Sequence, residues 1–178
     1  IEGFPLQAFY QFGNKERILM KDISTLCNEM KFVLQEKIIP FWLRCAVDEK
    51  EGGYLTCFDG DGNPGSDTNK YIVTQTCMIW GFSYLLDFCR DCDRSNMKEA
   101  AKQGVDFLLN HFWDEVYGGF CWKTDRKGNV LDLDKVVYGQ SFAIYALAEY
   151  YRHSGDKRAL DYAKKTFELL QIYAADNL

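Results

Sequence analysis

His111 and His153 are the two imidazoles of the 178-residue sequence, and imidazole is the side chain whose ordinary pKa suits proton transfer near neutral pH. Each falls near the end of a helix-like stretch, where a capping or solvent-exposed role is the expectation. Cys89-Arg-Asp-Cys92 has the spacing of a redox or zinc pair, yet it stands without a second pair or a nearby histidine. Asp59-Gly60-Asp61-Gly62-Asn63 opens like a calcium loop. Pro64 then takes the sixth position, where glycine is required, and Lys70 the twelfth, where a bidentate glutamate belongs. A tight turn is the reading of that loop. No metal site and no cofactor site is expected, and the glycine fingerprints of phosphate and dinucleotide binding are missing.

The elements that carry these residues are read from periodicity. A helix is predicted from Glu16 to Trp42, with Ile23, Leu26, Met30, Val33, Leu34 and Ile38 at helical spacing and Pro40 near its end. A strand-like alternation from Gly52 to Phe58 follows, then a turn through Pro64. The second helix, from about Asn69 to Phe88, is apolar nearly all round and should be buried. Ser95 is the expected cap of a third, amphipathic helix ending at Phe112. A second hairpin, Gly118 to Leu131, leads to a fourth helix from about Val136 to His153. Asp156 caps a fifth, which ends near Ala174.

Two stretches repeat. Asp48-Glu-Lys-Glu-Gly-Gly-Tyr54 returns as Asp114-Glu-Val-Tyr-Gly-Gly-Phe120, 66 positions on, and Asp59, Gly62 and Asn63 return as Asp125, Gly128 and Asn129. After a one-residue slip, Gln75 to Trp80 is matched by Gln140 to Tyr145. Lys70 and Lys135 hold equivalent places, which suggests helix-start chemistry more than catalysis. The order of polar-faced helix, hairpin and apolar helix is that of an all-α toroid of helix pairs, (α/α), with the apolar helices inside and the hairpins at one end. A third hairpin is expected near position 176. Two and a half units do not close a ring, so the expectation is an incomplete (α/α)6 barrel, as an open half-barrel or as the first part of a longer protein.

Residues 1–178 read as one domain with an extended lead-in over 1–14, and 47% hydrophobic residues suffice for a sizeable core. The net charge of −5 is spread along the chain, which implies neither a nucleic-acid partner nor an anionic membrane. No apolar run is long enough for a membrane span and no signal peptide is visible, while Ile1 in place of Met suggests processing or a fragment. Seven cysteines, an odd number at apolar positions, suit reduced, buried thiols and a cytoplasmic location.

Several segments resemble the N-acylglucosamine 2-epimerase family, with a lean toward its cellobiose 2-epimerase branch. They are Ile38 to Leu43, Gly52 to Cys57, Asp67 to Tyr71, Gln75 to Trp80 and Lys135 to Leu147. The resemblance implies an (α/α)6 barrel and inversion at C2 of an aldose, either an N-acylhexosamine or the reducing-end hexose of a disaccharide. It implies an enediolate intermediate and a pair of catalytic histidines. Neither His111 nor His153 corresponds to that pair, whose counterparts would lie beyond Leu178, so this chain alone is expected to be inactive. The resemblance is also compatible with an aldose–ketose isomerase, and a non-catalytic sugar-binding or structural segment is a further reading. The partner is a small carbohydrate, and a homodimer is compatible with the sequence.

The resemblance also nominates site residues. Tyr138 matches a family tyrosine at the start of an inner helix, placed to hydrogen-bond sugar or enediolate. Cys77 stands where the family's Gln-x-Arg-x-Ile-Trp pattern has arginine, and a thiol replaces neither the charge nor the fork of a guanidinium. Trp80 and Trp122 can stack on a sugar ring or fill core.

Overall fold

The computed structural model describes residues 22–88 and 93–174; the lead-in over 1–14 and the Cys89/Cys92 pair lie outside the described residues. Asp22 starts the first helix by accepting a 2.8 Å hydrogen bond from the Thr25 amide, and α1 runs Ile23–Val33. The rod continues through a π-helical turn, Leu34–Ile38, into α2, Ile39–Cys45. Pro40 explains the widened turn. Proline lacks an N–H and its ring crowds the carbonyl four residues back, so Ile39 donates instead to Leu34, five back, and the helix passes the proline. The helix reaches Cys45, three residues beyond the Trp42 expected. α1 has no buried residue, and Ile23, Met30 and Phe32 are exposed.

After the first hairpin come β1, Lys70–Tyr71, and α3, Ile72–Phe88. α3 buries Ile72, Ile79, Phe82 and Leu86 together with Thr76 and Ser83. Those two hydroxyls donate back to Ile72 and Ile79 carbonyls at 2.8 and 2.7 Å, so neither is left unpaired. α4, Arg94–Phe107, is capped by Asp93 rather than Ser95, the Asp93 carboxylate accepting from the Asn96 amide. A second π-helical turn, Leu108–Phe112, ends it. The second hairpin holds β2, Lys123–Thr124, and β3, Val130–Asp132. α5, Val137–Ser154, and α6, Lys157–Tyr173, complete the described chain, with Asp156 capping α6 as expected.

α3 packs against both α4 and α5, and α5 against α6, giving two adjacent inner helices with outer partners. Close approach is built into the α3–α5 seam: a Cβ on Gly139 would lie 2.8 Å from the Ile72 side chain. One buried cluster runs from Ile39 through Tyr54, Ile79, Val105 and Phe120 to Ala163. The units are also stitched by backbone, because β1 of the first pairs antiparallel with β2 of the second, Lys70 opposite Thr124, and β2 pairs with β3. The first hairpin is not the strand pair its alternation suggested. It makes only the isolated bridges Val47–Tyr54 and Phe58–Pro64; Pro64, which has no N–H to give a ladder, stands where the second hairpin has Val130 at the start of β3. The cysteines depart from the buried expectation too: Cys121 is buried, but Cys27, Cys57 and Cys77 are exposed.

Candidate functional site

Each inner helix begins at a hairpin that it holds in place. The Gln75 amide donates to the Tyr54 carbonyl and accepts from the Tyr54 N–H, both at 2.9 Å. Gln140 does the same for Phe120, at 2.7 and 2.8 Å. Both glutamines are buried, where an amide that matches a backbone donor and acceptor at once avoids any desolvated orphan. Gly53 sits beneath the first clamp at φ +63°, and a Cβ there would lie 2.7 Å from the Gln75 oxygen. The calcium-like loop is a turn: Asp59 accepts from the amides of Asp61 and Asn63 at 3.0 and 2.9 Å, and Asp125 repeats this with Lys127 and Asn129.

The recurring lysines pin the hairpins electrostatically. Lys70 is fully buried and its ammonium lies 3.2 Å from Asp48, beside the Gly52 carbonyl, and 4.1 Å from the Phe107 ring centroid. Arg126, from the second hairpin, grips the same carboxylate with two 2.8 Å hydrogen bonds. Burial pushes the Asp48 carboxyl up, but the Arg126 hydrogen bonds and the charge of Lys70 outweigh it and hold it at about 2. Burial pulls the Lys70 ammonium down against the opposing pull of Asp48. In the second unit Lys135 pairs with Asp114 at 3.0 Å in a more open setting.

These anchors aim one face of each inner helix away from the core. On α3 the face carries Cys77, Trp80 and Tyr84, and on α5 it carries Tyr138, Ser141 and Tyr145, in the same i, i+3, i+7 spacing. Trp80 stacks on Tyr84, ring centroids 4.7 Å apart, and on Tyr145 at 5.3 Å, which joins the two helices by an aromatic bridge. Tyr138 is 56% exposed and rests its ring on Phe142. It stands seven residues, about 10 Å, up the helix from Tyr145, toward the hairpin end. Trp122 lies at the base of the second hairpin, half-buried, its ring 3.3 Å from where a Cβ on Gly139 would fall. Cys77 borders a cleft of about 170 Å³ shared with Ile38, Trp42 and Phe82, and partial burial pushes its thiol up, which leaves it neutral at physiological pH.

The structure therefore joins Trp80 to the α3–α5 bridge and sets Tyr138 and Trp122 at the hairpin end of α5. The sequence reading missed Tyr84 and Tyr145, 37% and 55% exposed; their helices look apolar all round, and only packing separates lumen from core. The histidines differ from the capping or exposed roles expected. The His111 ring packs 4.5 Å from Phe107 and beneath Gly128, and the His153 side chain is 16% exposed beside Asp87 and Glu149. Neither is on the aromatic face.

Hairpins at one end of paired helices, with aromatic inner faces, define an (α/α) toroid of the kind that encloses a pocket. The chain belongs to the N-acylglucosamine 2-epimerase (GlcNAc 2-epimerase) family, whose sequence model matches residues 53–177. It is similar to the cellobiose 2-epimerase of Dictyoglomus turgidum, 34% identical over 84% of this chain and 38% of that protein. The cellobiose 2-epimerase of Bacteroides fragilis is 31% identical over 86% of this chain and 38% of its own length. The solved cellobiose 2-epimerase of Bacillus thermoamylovorans superposes with a TM-score of 0.80 at 32% identity, covering 87% of this chain and 39% of that one. The chain thus spans about 38% of the length of the curated relatives it matches. Among the described residues, no helix is long and apolar enough to cross a membrane.

Proposed function

We propose that these residues form the sugar-holding wall of a 2-epimerase, and that they bind an aldose without turning it over. The substrate class is an N-acylhexosamine or the reducing-end hexose of a disaccharide. The observation that carries the reading is the aromatic face of α3 and α5 in a chain of this family, with Tyr84 and Tyr145 exposed beside Trp80 and Tyr138 exposed farther up α5, toward the hairpins. Ring faces stack on the C–H edges of a pyranose, and the Tyr138 hydroxyl supplies a hydrogen bond beside it, while Ser141 Oγ, which donates to the Val137 carbonyl at 2.9 Å, is left to accept one. Inversion at C2 then requires removal of the proton beside an open-chain aldehyde and stabilisation of the enediolate oxygen. Tyrosine, serine and a neutral thiol donate hydrogen bonds but are not bases near neutral pH, and both imidazoles lie off this face. Among the described residues this face offers binding and oxyanion contacts, and no base for proton transfer stands on it.

Proton NMR in deuterium oxide tests both halves. Saturation transfer to cellobiose or N-acetylglucosamine is expected, with no solvent deuterium entering C2. Absence of saturation transfer to either sugar would contradict the wall; deuterium at C2 above the uncatalysed background would contradict inactivity, and a ketose product would point to isomerase chemistry.

A further inference from the structure

At the end of α3 and α5 opposite the hairpins, three metal-binding side chains converge. Glu149 and His153 are one turn apart on α5, and Asp87 reaches across from the last turn of α3. Their ligand atoms lie within 4.8 Å of one another. His153 Nε2 is 3.3 Å from Glu149 Oε1 and 3.7 Å from Asp87 Oδ1. A tetrahedral ion with bonds of about 2.0–2.2 Å sets its ligand atoms roughly 3.3–3.6 Å apart, so both distances are close to edges of that polyhedron. His153 Nε2 is also buried and has no hydrogen-bond partner among the described residues, although Glu149 is near. A desolvated ring nitrogen facing two carboxylates at co-ligand distance, without hydrogen-bond alignment, is what a metal ligand looks like before the ion arrives.

We propose that Asp87, Glu149 and His153 form a divalent transition-metal site that staples the lower ends of the two inner helices. One imidazole with two carboxylates favours zinc-class ions over magnesium or calcium. The carbonyl ends of α3 and α5 add negative potential there. A cleft of about 370 Å³ bordered by Ser83, Tyr150, His153 and Ser154 lies on the α4 side of the His153 residue, while Asp87 on the other side is 41% exposed and leaves the ion a way in from solvent. Arg152 is the competitor. It contacts Asp87 Oδ2 at 2.6 Å and Glu149 Oε1 at 2.5 Å, with its Nε 3.3 Å from Glu149 Oε2. Metal binding leaves Arg152 on the outer oxygens, Asp87 Oδ2 and Glu149 Oε2, and removes only its contact with Glu149 Oε1. Its positive charge makes the site weaker than a structural zinc site of uncharged surroundings.

The test titrates the whole 178-residue chain, stripped by chelator, with cobalt(II) and zinc(II), following visible absorption and metal content. The expected result is one ion per chain with tetrahedral cobalt absorption and no thiolate charge-transfer band. Binding should weaken at least about tenfold in His153→Gln and Glu149→Gln and stay unchanged in His111→Gln. Should His153→Gln lose its helical circular dichroism, Asp87→Asn carries the same expectation with the ring intact. Failure to bind stoichiometrically, equal binding by a folded His153→Gln or Asp87→Asn variant, or a thiolate band that vanishes in Cys89→Ser/Cys92→Ser would each overturn the proposal.

Discussion

In the first hairpin unit the Lys70–Asp48 pair is sealed, with both side chains at most 1% exposed and Arg126 and Phe107 closing over them. In the second, Lys135 and Asp114 make the corresponding ion pair at 3.0 Å, but the side chains are 29% and 12% exposed. A groove of about 400 Å³ lined by Tyr117, Gly119, Lys135, Gln140, Leu169 and Tyr173 opens beside them. The skeleton of clamp, turn and lysine is the same in both. What differs is the neighbour: the second hairpin supplies the arginine that covers the first. A repeat of this kind is thus stabilised across units as well as within them, and an ion pair of one design is worth different amounts according to what lies over it.

The largest effect should come from breaking the sealed pair. Asp48→Ala leaves Lys70 buried with only the Gly52 and Arg126 carbonyls to accept from it, and is expected to cost about 3–5 kcal/mol in urea unfolding. Asp114→Ala should stay within about 1 kcal/mol, because water reaches Lys135. Equal losses would break the comparison. Arg126→Ala sharpens it. Removing two charge-assisted hydrogen bonds from Asp48 should cost about 2 kcal/mol, with no companion effect on the Lys135–Asp114 pair. That asymmetry is checked by combining Arg126→Ala with each aspartate variant: strong coupling is expected with Asp48 and near-additivity with Asp114.

A smaller and graded effect should appear in acid. The Asp48 carboxyl is lowered from 3.8 to about 2 in the fold. A depressed carboxylate stabilises the native state above its unfolded pKa, and the contribution fades as pH falls from about 4 to about 2, amounting to roughly 2 kcal/mol. Asp114 is lowered too, by amides of its own turn and by Lys135, so its contribution has the same sign. The acid loss should shrink in Asp48→Asn more than in Asp114→Asn.

Much of the skeleton was legible because each repeated residue answers a local demand. Gln75 and Gln140 recur since one amide satisfies a whole hairpin residue, and Asp59 and Asp125 recur since the turn folds around a carboxylate. The equivalence of Lys70 and Lys135 was visible, but their task was not: the expected helix-start chemistry is instead an ion pair that pins each hairpin, to Asp48 and Asp114. Arg126 was hidden because it breaks the repeat: Gly60 holds its place in the first hairpin, and the contact joins residues 78 apart. The π-helical turns were equally hidden, since periodicity does not register a single widened turn. In the candidate site, Tyr138 and Trp80 were nominated by resemblance, whereas Tyr84 and Tyr145 needed the α3–α5 seam to separate an exposed aromatic from a core one. The His153 cluster spans two helices, and its one local sign was Glu149 four residues before it.

The sugar-holding role of the α3–α5 face is tested most directly by the indole resonances of the four tryptophans during titration with cellobiose. Trp80, bridged to Tyr84 and Tyr145, should move most, with Trp122 following. Trp113, wedged edge-on between Phe120 and Tyr162, should stay still. A titration that shifts Trp113 more than Trp80, or that leaves Trp80 unmoved, would contradict the account.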